Sequence, residues 1–156
     1  MINKNTTIKL LVMDVDGTLT DGKIYIGSEG EIMKAFDVKD GYGIVCILPE
    51  LGVIPVIITG RKSKIVEQRA KELKINELHQ GVSDKLSKLK EVARKYNTSF
   101  DEIAYIGDDL NDLECIENCG LTACPSDAVE EVITKCKYVC KNSAGHGAVR
   151  EFIDKL

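Results

Sequence analysis

No apolar run in this sequence approaches the roughly 18 residues that a membrane-spanning helix needs, since the run ending at Met13 is closed at once by Asp14 and Asp16. No secretory pattern, with a long apolar region and a small-residue cleavage site, follows Met1. The expected location is therefore cytoplasmic, with no membrane partner. A basic excess is missing as well, because the net charge is −4. Proteins that track a phosphate backbone carry the opposite balance, so nucleic acid is not expected as a partner. A small anionic substrate stays possible, since positive charge can gather locally. Paired Cys-x-x-Cys spacing is absent among Cys46, Cys115, Cys119, Cys124, Cys136 and Cys140, which removes the usual zinc reading. With no export signal, these cysteines are expected to be free, buried or half-buried thiols. Internal repeats and low-complexity stretches are also missing, and 156 residues make one ordinary domain over 1–156.

What is present is an alternation of short apolar strands and amphipathic helices. Residues 8–14 read as a buried strand, broken by Gly17. Extended runs at 23–27 and 31–37 are joined by Ser28-Glu29-Gly30, which is hairpin chemistry. A helix is expected from Gly41 to about Leu51, stopped by Gly52. Further strands are expected at 53–58, 77–80, 103–107, 121–124 and 138–140. Helices fall between them. One is capped by Ser63, and one is opened by Asp84 with Leu86, Leu89, Val92, Ala93 and Tyr96 on a single face. Others cover 110–118, start at Ser126 and start near Gly147. The alternation implies an α/β, Rossmann-like three-layer parallel sheet with a β-hairpin insertion after the first strand. Ligands of such sheets sit at the carboxyl ends of the strands.

Those ends carry the chemistry. Asp14-Val15-Asp16-Gly17-Thr18 follows the first strand directly. Two carboxylates so close repel unless a cation joins them, and oxygen-only ligands suit Mg²⁺. The plain alternative is a strand end capped by Asp side chains. Gly107-Asp108-Asp109-Leu110-Asn111-Asp112 ends another apolar strand. Asp108 can complete a metal shell begun by Asp14 and Asp16, while Asp109 or Asp112 can orient bound water. Against this stands N-capping of the next helix by Asp109. Thr59-Gly60-Arg61 offers a hydroxyl and backbone N–H groups for phosphate oxygens. Lys85 opposes the helix dipole in the first turn after Asp84, which suggests that it serves an anion rather than solvent. His79 and His146 are assigned no role.

Taken together in this order, Asp-x-Asp-Gly-Thr at 14–18, Thr59, Lys85 and Gly-Asp-Asp at 107–109 resemble the haloacid dehalogenase superfamily over nearly the whole chain. The resemblance implies a phosphatase in which Asp14 attacks phosphorus to form an aspartyl phosphate. Asp16 is implied to protonate the leaving alcohol and then to activate water. Thr59 and Lys85 are implied to bind the phosphoryl oxygens, with Mg²⁺ held by Asp14, the Asp16 backbone carbonyl and Asp108.

Neither the stretch between Asp16 and Thr59 nor that between Lys85 and Asp108 is long enough for a cap domain, so the branch resembled is the capless one. Its members act on phosphorylated sugar acids such as 3-deoxy-D-manno-octulosonate 8-phosphate. The matching stretches include Thr20-Asp21-Gly22, Lys34-Ala35-Phe36, Lys39-Asp40-Gly41-Tyr42-Gly43-Ile44, Gln80-Gly81 and Gly147-Ala148-Val149-Arg150-Glu151. They imply that Asp37, Val38, Lys39, Asp40 and Gly41 line the sugar site and that Arg61 and Arg69 meet its carboxylate or hydroxyls. They also imply a homotetramer whose sites are completed by neighbouring subunits. Val45 stands where the octulosonate branch carries arginine, and Arg61 stands where relatives acting on nonulosonate 9-phosphates carry glutamate. The eight-carbon sugar is favoured. The nine-carbon sugar and a non-catalytic oligomerisation module are the alternatives.

Overall fold

A computed structural model describes residues 7–156; the first six residues of the single domain expected over 1–156 lie outside the described part. Six parallel strands form one sheet: β1 (Leu10–Met13), β4 (Ile54–Ile58), β5 (Glu77–His79), β6 (Ile103–Ile106), β7 (Leu121–Cys124) and β8 (Tyr138–Val139). They lie in the order β5-β4-β1-β6-β7-β8. The chain therefore leaves β1 toward one edge and returns to build the other half, which puts the point of reversal beside β1. A separate antiparallel hairpin, β2 (Tyr25–Gly27) and β3 (Gly30–Met33), follows β1.

Every strand residue of β1 is buried, and alternate ones enter opposite cores. Leu11 and Met13 join Ile57, Ala104 and Ile106 on one face. Leu10 and Val12 join Val56, Ile58, Ile103 and Tyr105 on the other. This two-sided burial explains why the strands read as near-continuous apolar runs. The first face is covered by a helical rod, by α3 (Lys64–Glu72) and by α7 (Ala148–Ile153). The second is covered by α4 (Lys85–Lys95), α5 (Leu113–Asn118) and α6 (Glu130–Lys135). The α/β class, the parallel sheet, the hairpin and the lack of a cap all match expectation. Among the described residues only the hairpin and the rod lie between β1 and β4.

Some boundaries move. The second hairpin arm ends at Met33 rather than 37, because Phe36 turns in against the core and Asp37 caps the next helix by accepting from Lys39 N at 2.7 Å. That cap starts the rod at Val38, not Gly41. The rod comprises α1 (Val38–Tyr42), a π-helical turn (Gly43–Ile47) and α2 (Leu48–Leu51), closed by left-handed Gly52. The wide turn is marked by Leu48 N bonding to Gly43 O. Ser63 caps α3 as expected, and Asp84 caps α4 by accepting from Ser87 N at 2.9 Å. The helix expected from Ser126 begins at Glu130, after a turn in which Ala128 N bonds Pro125 O. All six cysteines are free.

Candidate active site

The register fixes where the acidic segments meet. Met13 lies level with Ile57 of β4 and Ile106 of β6. Asp14, Thr59 and Asp108 therefore leave the same end of three adjacent strands, at the reversal point where α/β sheets bind ligands. Lys85, first residue of α4, is drawn to the same place. Its ammonium is 2.9 Å from Asp14 Oδ1 and donates to Asp112 Oδ1 at 2.7 Å. Burial alone would lower its pKa, but the charges of Asp14 and Asp112 outweigh that and raise it, so it stays charged.

Asp112 is fully buried and completely used. Its Oδ1 also accepts from Tyr105 Oη at 2.6 Å, and its Oδ2 accepts from Asp108 N at 3.0 Å and Asp109 N at 3.3 Å. It thus orients both the lysine and the loop that carries Asp108. Gly107 is required for this, since a Cβ there would lie 2.4 Å from Asp112 Cγ. Asp109 accepts from Leu110 N at 2.7 Å and caps the 3₁₀ turn at Leu110–Asp112, so its part is structural.

Asp14, Asp108 and Asp112 each bring a carboxylate oxygen within 4.8 Å of the other two. Burial first, and then the charge of Asp14, push the Asp108 carboxyl up to about 8. Burial raises Asp14 too, against the pull of Lys85. Three acids against one lysine leave an excess of negative charge that a divalent cation would offset. Asp112 has no free lone pair, so Asp14 and Asp108 are the side chains that fit a metal. Thr18 Oγ1 steadies Asp108 by donating to Oδ1 at 2.9 Å. Gly17, at φ +91°, leaves room for it: an added Cβ would sit 2.1 Å from Asp108 Oδ2.

Asp16 stands apart from the three acids. Its Oδ1 accepts from Lys34, and its Oδ2 lies 3.8 Å from Arg61 Nε. The residues expected around a sugar fall into two places. Arg61 is beside Asp16. Asp37, Asp40, Gly41 and Arg69 instead line a small cleft with Leu19 and Phe36. Arg69 stacks 5.5 Å from the Phe36 ring and reaches Glu72 at 3.2 Å. Asp40 is buried and accepts from Arg150 N at 2.8 Å, tying the rod to α7. Val38 and Lys39 point outward. Val45 packs against the core from the π-helical turn. Lys34 and Glu31 are the neighbours that sequence reasoning missed, because their partners Asp16 and Ser63 are remote in sequence; only the stretch Lys34-Ala35-Phe36 marked their neighbourhood.

A family model described as haloacid dehalogenase-like hydrolase matches residues 75–153. The chain is 45% identical over 156 residues to the 3-deoxy-D-manno-octulosonate 8-phosphate phosphatase of Escherichia coli strain K12, covering 100% of this chain and 82% of that one. The crystal structure of the phosphatase of that name from Yersinia pestis is similar with a TM-score of 0.93 at 44% identity, over 98% of this chain and 82% of that one. The Moraxella catarrhalis phosphatase, in complex with magnesium ion, phosphate ion and KDO, is similar with a TM-score of 0.93 at 42% identity, over 99% and 88% of the two chains.

Proposed function

Because the chain belongs to the haloacid dehalogenase-like hydrolases, we propose that it is a Mg²⁺-dependent phosphatase converting 3-deoxy-D-manno-octulosonate 8-phosphate to the free sugar acid and phosphate. The observation that carries this reading is the acid pair of buried Asp14 and half-buried Asp108 at the ends of adjacent strands, with Lys85 set between Asp14 and Asp112. Asp14, Asp108 and the Asp16 backbone carbonyl would hold Mg²⁺, which when bound offsets the charge developing on the phosphoryl oxygens.

The chain's own residues carry the steps. An Asp14 oxygen attacks phosphorus, the ester P–O bond breaks, and the departing alkoxide takes the proton of the Asp16 carboxyl. Water then attacks the aspartyl phosphate, gives its proton to Asp16, and the bond between phosphorus and Asp14 breaks. The Thr59 hydroxyl and the Lys85 ammonium hold the phosphoryl oxygens through both steps. Arg61, beside Asp16, takes the sugar's carboxylate or hydroxyls. Arg69 and residues 37–41 act on the sugar from their separate cleft, in a homotetramer whose subunits complete one another's sites. Exposed Tyr25, Ile26, Ile32 and Met33 on the hairpin support assembly, since a lone chain has no reason to present them to water. Free thiols throughout suit the reducing cytoplasm, and no helix of the described residues is long and apolar enough to cross a membrane.

Purified protein with Mg²⁺ should release phosphate from octulosonate 8-phosphate, with a higher kcat/KM than on a nonulosonate 9-phosphate, and chelation should stop it. No release from any phosphorylated sugar acid overturns the reading.

A further inference from the structure

We propose that Lys34 is a positioning residue for Asp16: it reaches in from the hairpin and fixes the direction of the carboxylate that exchanges protons with the substrate and with water. This rests on the reading of Asp16 as acid and base. The Lys34 side chain is 1% exposed, a rare fate for an ammonium group. It donates to Asp16 Oδ1 and lies 2.9 Å from Glu31 Oε1. The second contact is not aligned as a hydrogen bond, since Glu31 Oε1 has no hydrogen-bond partner. The aligned bond is therefore the one to Asp16. Glu31 Oε2 in turn accepts from Ser63 Oγ, the cap of α3. A half-buried chain of polar contacts thus runs from the Asp16 loop through the hairpin to α3.

As a fastener for the hairpin, this chain is a poor choice, because apolar packing would hold it without desolvating an ammonium and two carboxylates. As a support for Asp16 it makes sense. With Oδ1 held by Lys34, Oδ2 is the oxygen left to face Arg61 and the open side of the site. Asp16 serves both half-reactions, so one misdirected oxygen slows each of them.

The test is a leaving-group comparison with intact protein and Mg²⁺. Lys34→Met should lower kcat on octulosonate 8-phosphate about a hundredfold, the low end for a general acid–base contribution. On p-nitrophenyl phosphate, whose leaving group needs little protonation, kcat/KM covers only transfer to Asp14. It should fall less than about fivefold. Lys34→Arg should recover about tenfold of the loss on the sugar phosphate. Glu31→Gln leaves Lys34 on Asp16 but slackens its other end. It should cost about fivefold on the sugar phosphate and almost nothing on the aryl ester, and it decides the matter if Lys34→Met does not fold. Equal losses on both substrates, or unchanged kcat in both variants, overturn the proposal while leaving the phosphatase reading intact. Wild-type protein inert on both substrates overturns that reading, and this proposal with it.

Discussion

Two sunken carboxylates in this molecule keep different company. Asp112, at 0% exposure, has four donors on its two oxygens: Lys85, Tyr105 and two backbone N–H groups. Asp40, at 2% exposure, has one, Arg150 N, and its Oδ2 has none. Asp112 is fully bonded, yet its region is short of cations, since Lys85 reaches Asp14 and Asp112 while Asp108 adds a third acid beside them. The second has its cation in Arg69, whose Nε is likewise without a partner, and is under-bonded instead. Fully bonded acids hold a site rigid while its excess negative charge waits for a metal. An under-bonded acid holds two helices together at a cost that grows once it ionises.

Substitutions can break this contrast in order of size. Asp14→Asn should abolish turnover by about 10⁴-fold or more, as loss of a nucleophile does. It should leave the metal-free melting temperature close to wild type, because it removes one of the mutually repelling acids; paired kinetics and calorimetry check both. Asp112→Asn should cost about 3–5 kcal/mol, the usual penalty for breaking a buried charge pair. It should also slow turnover about a hundredfold, because Lys85 loses its fixed position. A urea titration beside the assay reads the two effects. Asp40→Asn should act in the opposite direction. Burial, then the charge of Asp37, raise the Asp40 carboxyl to about 6 despite the bond from Arg150 N. An acid raised on folding binds its proton more tightly in the folded state. Its favourable contribution is full below its ordinary value of 3.8 and is lost as pH rises through about 6. Asp40→Asn should therefore melt a few degrees above wild type at pH 8, with the gap closing toward pH 5.

Much of the catalytic end was legible because its parts sit where the chain announces them, each at the end of a doubly buried strand. Asp14, Thr59 and Asp108 needed only the strand ends and the parallel order to be brought together. The place of Asp112 was harder to see. Its spacing from Asp108 fits an ordinary helix-cap acid, and only the structure shows Lys85 arriving from 27 residues away. Lys34 was invisible as a site residue for the same reason, since its partner Asp16 lies 18 residues back. The hairpin's second arm was read too long because local strand propensity cannot anticipate Phe36 turning into the core. The surroundings of Asp40, buried against α7, and of Arg69, stacked on Phe36, are not encoded by charge and position in the chain.

The wide turn at Gly43–Ile47 has a further consequence. One surplus residue in a helix offsets everything before it by about 100° around the axis. The rod thereby acts as a two-faced peg: Leu48 aims at the sheet, while Asp40 and Gly41, upstream of the offset, are turned onto α7 and Arg69. Deleting a single residue within that turn would leave the helix intact but swing the upstream face away from both neighbours, a frameshift written in angle rather than in codons.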